Sequence, residues 1–375
     1  MIYLDSAATT APRREVLEAM WPFLTGEFGN PSSHHELGEA AARALGEARA
    51  TVARWFGCRD SEVIFTSGGT EANNLAIKGI SLANPRGRHV VTSAIEHEAV
   101  LESCRFLQRH HGFTVTVLGV DSDGRLDPSE VTAALRTDTT LVTAMYANNE
   151  VGVLQPIAEI VTAANKHGIP VHTDAVQAAG SLDLTSLQAD AISISGHKVG
   201  APKGIGALYL RGRIPLEPLI HGGGQERGRR SGTENVAGAV GLATALSLLD
   251  VGAQGEIGDL RDHFIADILR LVPDAMLTGP REGRLPGNAS FCFPGTSGES
   301  ILLELGRHGV VCSAGSACAV GDDTPSHVLT AMGITAEVAQ TAVRFSLDRS
   351  TTREQLEQVA RHVASASASV RALGR

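Results

Sequence analysis

The sequence predicts an α/β protein: a large domain built on a mostly parallel sheet, followed by a small α+β domain. Three observations carry that prediction. Between about residues 60 and 210, short runs rich in Val, Ile and Thr alternate with amphipathic stretches, as strand–helix crossover units require. After residue 255 the rhythm changes to helix, strand, helix, strand and a closing helix. The 375 residues exceed one ordinary domain at roughly 100–200 residues each, and the 43% that are hydrophobic suffice for a sizeable core.

Taken in order, the predicted strands are residues 63–66, 89–94, 113–120, 140–146, 169–174 and 191–195, each short, β-branched and bounded by turn residues. Between the earlier ones lie predicted helices at 71–79, 97–111, 127–136 and 156–167. Asp127-Pro128 supplies an N-cap followed by proline at the first helical position, and Gly168 closes the last of these helices. The run 236–249 is fourteen uncharged residues, short of the roughly 20 a membrane span needs, so it reads as a core helix. Beyond it come a helix to about 271, a strand near 289–293, a helix at 300–308, a strand near 342–347 and a polar final helix. The expected division is an N-terminal segment, 1–14, packing with the small domain, a large domain at 15–255 and a small domain at 256–375.

Composition narrows the function. The net charge is −9 and the pI about 5.9, with a mean hydropathy of +0.02, which gives no general attraction to nucleic acid or anionic membranes. Asp5 precedes any apolar stretch, so no signal peptide is expected. Five scattered cysteines, an odd number, fit a reducing compartment rather than a disulfide framework. The expectation is a soluble cytoplasmic protein. Lysine is scarce: Lys78, Lys166, Lys198 and Lys203 are the only four amine nucleophiles on offer.

Several segments could carry chemistry. In Ala191-Ile-Ser-Ile-Ser-Gly-His-Lys198 a strand runs into a glycine with a lysine two residues beyond, at the strand end where open α/β sheets place ligands. Such an amine is a covalent catalyst when kept partly deprotonated. The same spacing suits a solvated lysine, and Lys203 competes for the role. Asp174 ends a buried-looking strand, where a carboxylate either protonates a cofactor ring nitrogen or caps the next helix. Thr66-Ser-Gly-Gly-Thr-Glu71 is a strand–turn–helix junction able to cradle phosphate on free N–H groups, or a plain turn. It matches neither nucleotide-binding glycine pattern. His97 follows a strand, where it could stack on a flat ring or start a helix. Cys318 lies in Ser313-Ala-Gly-Ser-Ala-Cys318-Ala-Val-Gly321, small residues that read as a mobile loop with one exposed thiol. Its spacing from Cys312 fits no common zinc site.

Together these segments resemble the pyridoxal-phosphate-dependent cysteine desulfurases, of the class-V aminotransferase group of fold-type-I enzymes. The resemblance covers nearly the whole chain. It runs through Leu4-Asp5-Ser6-Ala7-Ala8-Thr9-Thr10, Gly29-Asn-Pro-Ser-Ser33 with His35, the Thr66–Glu71 turn, Glu96-His97, Asn148-Asn-Glu-Val-Gly152 and Asp174-Ala-Val-Gln177. It continues through Ser195-Gly-His-Lys198, Arg229-Arg-Ser-Gly-Thr233, the Cys318 segment, Pro325-Ser-His-Val-Leu329 and Arg344-Phe-Ser-Leu347. Asp348 departs from the glycine many relatives carry.

The resemblance implies roles. Lys198 would hold pyridoxal 5'-phosphate covalently, Asp174 would pair with its ring nitrogen, and His97 would stack on the ring. Asn149 and Gln177 would contact the phenolic oxygen side. Gly69, Thr70, Ser195 and His197 would bind the phosphate, with Thr233 reaching it from a second subunit of a homodimer. Arg344, with Asn30 nearby, would clamp the carboxylate of L-cysteine. Lys198 would then move the Cα proton, and Cys318, deprotonated with help from His97, would take the sulfur and leave L-alanine. The persulfide would pass to an acceptor protein, either an iron–sulfur scaffold or a tRNA-thiolation enzyme. No resident metal is implied, only transient cluster ligation by Cys318 on a scaffold. A selenocysteine lyase, or another class-V lyase or aminotransferase, is the enzymatic alternative. A non-catalytic protein that keeps the fold for partner binding is the other.

Overall fold

A computed structural model of the chain describes residues 1–250, 254–314 and 324–373. It opens on a two-residue strand, β1 (Ile2–Tyr3). Seven strands follow: β2 (Val63–Thr66), β3 (His89–Ser93), β4 (Thr114–Leu118), β5 (Thr139–Thr143), β6 (Val171–Asp174), β7 (Ala191–Ser195) and β8 (Gly206–Leu210). They form one sheet in the order β2-β8-β7-β6-β5-β3-β4. The pairings from β4 through β7 are parallel, and β8 runs antiparallel to both β7 and β2. Five of these strands are buried throughout because helices cover both sheet faces; β4, at the edge, is partly exposed.

The alternation predicted from sequence is present, and the strands at 63–66 and 191–195 have the predicted bounds. Strand β8 was not anticipated. Its GALYL stretch follows a glycine-rich turn and reads as loop, yet it fills the gap between β7 and β2. Only glycine can begin it: a Cβ at Gly206 would lie 2.7 Å from Gly68 Cα. Two helices before the alternation, Arg14–Thr25 and Glu36–Phe56, were also missed. Pro22 interrupts the pattern of the first. The second buries a stripe that includes Leu45, Ala48, Val52 and Phe56 at helical spacing, but with Arg49 in its midst. Arg49 is tolerated because Glu226 accepts two hydrogen bonds from its guanidinium, both 2.6 Å. The uncharged run is the core helix Val236–Ser247, packed against both missed helices.

The remaining strands are β9 (Met276–Leu277), β10 (Asn288–Cys292), β11 (Val310–Val311) and β12 (Ala342–Ser346). Among the described residues β12, β10 and β9 form an antiparallel sheet, and β11 pairs in parallel with β1. Helices Gln254–Leu271, Gly298–Arg307 and Arg353–Leu373 bury side chains in a core around Phe264, Phe291 and Phe345. Leu4 sits in that same core. The chain then leaves it toward the large sheet, where Thr10 N donates to His197 O at 2.8 Å. The first ten residues therefore stitch the two sheets together and pass directly over the strand ends where the site lies.

Candidate active site

Ten of the residues singled out from sequence line one cavity of about 320 Å³: Gly69, Thr70, His97, Asn149, Asp174, Gln177, Ser195, His197, Lys198 and Arg344. Asn30 and Thr233 are exposed and do not line it within this chain. Cys318 lies outside the described residues.

Lys198 closes the short turn Gly196–Lys198 that ends β7. Its Nζ donates to the carbonyls of Ala7 and Ala8, the latter at 2.7 Å, so the N-terminal segment holds the amine in place. The competing lysines are elsewhere. Lys203 and Lys166 are exposed, and Lys78 stacks its ammonium 4.3 Å from the centre of the Phe106 ring.

Asp174 ends β6 and is buried. Its Oδ1 accepts from Val176 N at 2.9 Å, and its Oδ2 accepts from Asn73 Nδ2 at 2.5 Å. Burial pushes this carboxyl above its usual range, opposed by those two hydrogen bonds and by the charge of Lys198. Asn73 was not picked out from sequence. Its signal was position: it falls one turn after Gly69-Thr70, on the buried face of the helix. Two residues back along β6, His172 bridges Thr143 Oγ1 (2.8 Å) and Ser193 Oγ (2.9 Å). Burial drives it down to about 3, so it is a neutral tie between three strands.

His97 is the N-cap of helix Glu98–His111, its Nδ1 accepting from Ala99 N at 3.0 Å. That bond leaves the neutral ring's proton on Nε2. To serve as the base expected from sequence, His97 would have to give up its cap; as it stands it offers a donor. Beside it, Glu96 is buried, its Oε1 accepting from Ser93 Oγ (2.6 Å) and Met145 N (2.9 Å), while Oε2 has no partner among the described residues.

Burial pushes Glu96 up to about 8. The native state thus keeps a proton that the unfolded chain has released. The resulting stabilisation is complete below about pH 4.5, the ordinary glutamate value, and is lost as pH rises through about 8. Glu96→Gln cannot titrate. Its unfolding free energy relative to wild type should rise by roughly 3–5 kcal/mol between pH 4.5 and 9, read from urea melts at both pH values. A pH-independent difference would show that Glu96 is ionised in the native protein.

The turn before helix Gly69–Asn74 is tightly set. A Cβ at Gly69 would lie 2.6 Å from Val176 Cγ2 and 3.3 Å from Ser195 Cβ, so the backbone approaches the end of β7 as only glycine allows. The first N–H groups of this helix have no intrahelical acceptor. Glu71 accepts from Ser67 N (2.8 Å) and from Arg230 Nε (2.7 Å), tying the turn to the 229–233 segment. His197 Nδ1 meets Thr9 Oγ1 at 3.1 Å, and burial beside Lys198 and Lys203 lowers it to about 4, leaving a neutral imidazole.

Arg344 arrives from the other sheet. It projects from β12 with its side chain 1% exposed, Nη2 donating to Asp5 Oδ1 at 2.8 Å and Nη1 to Asn149 O at 2.9 Å. Its buried Nε has no partner among the described residues. Asp5 belongs to a motif quoted above but had been given no role. Gln177 Nε2 donates to Ala7 O at 3.0 Å, so the N-terminal segment is bound from both Lys198 and Gln177.

The four described cysteines are held as thiols. Burial pushes Cys58, Cys104 and Cys312 up to about 12 and Cys292 to about 11. Cys312 directly follows β11, beside Asp5 and Arg344.

This architecture has known relatives. The aminotransferase class-V family model matches residues 2–359. Cysteine desulfurase IscS of Dictyoglomus turgidum is 48% identical over 361 residues, covering 95% of this chain and 91% of that protein. Among solved structures, a NifS-like protein superposes with a TM-score of 0.90 at 36% identity, covering 97% of this chain and 98% of its own. SspA in complex with cysteine gives 0.81 at 37% identity, covering 92% and 99%.

Proposed function

This chain belongs to the class-V aminotransferase family, and from that premise we propose that it is a pyridoxal-phosphate-dependent cysteine desulfurase. The observation that carries the proposal is the meeting of Lys198, Asp174 and Arg344, from two sheets, on one cavity. The residues fit the cofactor. Lys198 would hold it covalently, and the Gly69-Thr70 turn with Ser195 and His197 would receive its phosphate. Asp174 is a buried carboxyl that burial pushes above its usual range, and a protonated ring nitrogen would favour its ionised form. When bound, the cofactor supplies an electron-withdrawing ring that stabilises negative charge at the substrate Cα.

The chain's own residues do the rest. Arg344 keeps its Nε edge for a substrate carboxylate, held in orientation by Asp5 and Asn149 O. Lys198 would supply the amine that takes the substrate's Cα proton. His97 Nε2–H donates into the site, while its cap fixes the ring plane. Elimination supports Cys318 as sulfur acceptor, because a nucleophilic cysteine must be a thiolate and the four described thiols are held protonated. Alanine released from L-cysteine in step with persulfide would support the reading. Turnover of selenocysteine alone would redirect it to a lyase.

We further propose a homodimer. Leu17, Trp21 and Leu24, at helical spacing, join Phe28 in a stripe whose members are 50–68% exposed, a patch that calls for a covering surface. A two-fold arrangement would let Thr233, exposed in its own chain, complete the phosphate site of the other. Light scattering should give twice the chain mass, and Trp21→Glu should halve it; an active wild-type monomer would contradict the shared site. The proposed setting is cytoplasmic, with domains at 15–255 and 256–375 and the persulfide passed to an iron–sulfur or tRNA-thiolation acceptor. No described helix is long and apolar enough to cross a membrane.

A further inference from the structure

We propose that Asp5 sets the substrate class of the site: standing behind Arg344, it offsets that residue's charge, so the cavity takes amino acids with one carboxylate and disfavours those that bring a second. The proposal rests on the reading of Arg344 as the carboxylate-binding residue. It gives Asp5 a part in specificity beyond holding the guanidinium in place.

Backbone pairing fixes Asp5 beside its partner. Ser346 N donates to Leu4 O at 2.8 Å and Ser6 N donates to Ser346 O at 3.3 Å, so the chain on both sides of Asp5 is tied to β12, the strand that carries Arg344. Leu4 is fully buried, and Asp5 O accepts from Ala8 N at 2.9 Å, which turns the chain immediately afterwards. The side chain has one place to go. Its Oδ1 accepts from Arg344 Nη2 at 2.8 Å. Among the described residues, Arg344 lines the cavity and Asp5 does not, so Asp5 acts on a bound molecule through the arginine.

Burial makes the pairing matter. The two side chains are 1% and 18% exposed, so little water screens them, and a buried guanidinium without a counter-charge is costly. Among the described residues, Asp5 is the carboxylate within ion-pair distance of Arg344. Glu150 also feels the arginine, but burial pushes its carboxyl up, toward the neutral form. Asp5 is therefore the counter-charge.

The charges then decide what binds. Asp5 and Arg344 cancel before any substrate arrives. One substrate carboxylate leaves the cluster with a single net negative charge, and hydrogen bonds from Arg344 offset that repulsion. A second carboxylate has to share a cavity of about 320 Å³ with the same excess charge. Two like charges roughly 8 Å apart at an effective dielectric of about 30 disfavour one another by about tenfold in binding. The offset also keeps carboxylate affinity modest for substrate and product alike, which lets a product with the same carboxylate leave.

The test uses the cofactor-loaded enzyme and two near-isosteric ligands that differ by one charge, L-asparagine and L-aspartate, measured as competitors of L-cysteine. Wild type should bind L-asparagine about tenfold more tightly than L-aspartate. Asp5→Asn keeps an oxygen to accept from Arg344 Nη2 but carries no charge. In that variant the gap should close to within about twofold, and KM for L-cysteine should fall about fivefold while kcat does not rise. A residue that only orients Arg344 would move neither quantity, and one whose charge the fold requires would raise KM. Either result, or an unchanged gap, would overturn the proposal. So would equal affinities for the two ligands in wild type, a measurement that needs no variant. Arg344→Gln tests the underlying reading separately: KM for L-cysteine should rise by at least about tenfold, and an unchanged KM would show that the carboxylate is bound elsewhere.

Discussion

Lys198→Ala should purify folded yet without a covalently attached chromophore, and its turnover of cysteine should fall by at least about 10³-fold, since both the cofactor's tether and a proton-transfer group are gone. The structure makes the expectation sharp. Lys198 is the only lysine among the described residues that lines the cavity, and its amine is held at the mouth of the site by the Ala7 and Ala8 carbonyls. Removing it should leave the other three lysines inert. Lys203 and Lys166 are in solvent, and Lys78 is committed to Phe106. Borohydride reduction of the loaded wild type, followed by peptide mapping, should label Lys198. A label on Lys203 would move the covalent role one loop along and void the geometry described above.

Cys318→Ser should bind cofactor and cysteine normally, yet form no persulfide. Serine keeps the size of the side chain and removes the sulfur that accepts. None of the other cysteines can substitute. With thiols raised to about 12, Cys58, Cys104 and Cys312 carry on the order of one thiolate in 10⁵ at neutral pH, and Cys292 at about 11 carries on the order of one in 10⁴. Alanine formation should therefore drop by more than about 10²-fold. After wild-type turnover, the mass gain of one sulfur atom should appear on the Cys318 peptide. Cys312 is the informative competitor because it lies beside Asp5 and Arg344. Sulfur found there would overturn the assignment, against the burial that chiefly holds that thiol protonated and the charge of Asp5 that adds to it.

What the sequence determined by itself was whatever short range can encode. The short β-branched runs placed the strands of the parallel core, since burial on both faces leaves few alternatives to Val, Ile and Thr. Lysine scarcity, together with a glycine at a strand end two residues before Lys198, narrowed the amine to Lys198 with Lys203 as competitor. The Gly68-Gly69 turn offered a phosphate cradle. Such signals need only neighbours in the chain. They failed where a local pattern was broken by a distant partner: Arg49 obscured a helix because Glu226, 177 residues away, neutralises it.

The tertiary structure alone decided which side chains share the site's electrostatics. Asn73 meets Asp174 across 101 residues, Ser326 meets Glu150 across 176, and Asp5 meets Arg344 across 339. None of these pairs has a period or a spacing to read. The last of them exists because two separately packed sheets are joined by ten N-terminal residues whose Leu4 is buried in one core and whose Thr10 is bonded to the strand end of the other. Tertiary packing also decided that Glu96 is buried deeply enough to keep its proton. Protonation states follow from burial and from partners far along the chain, and only the folded arrangement specifies either.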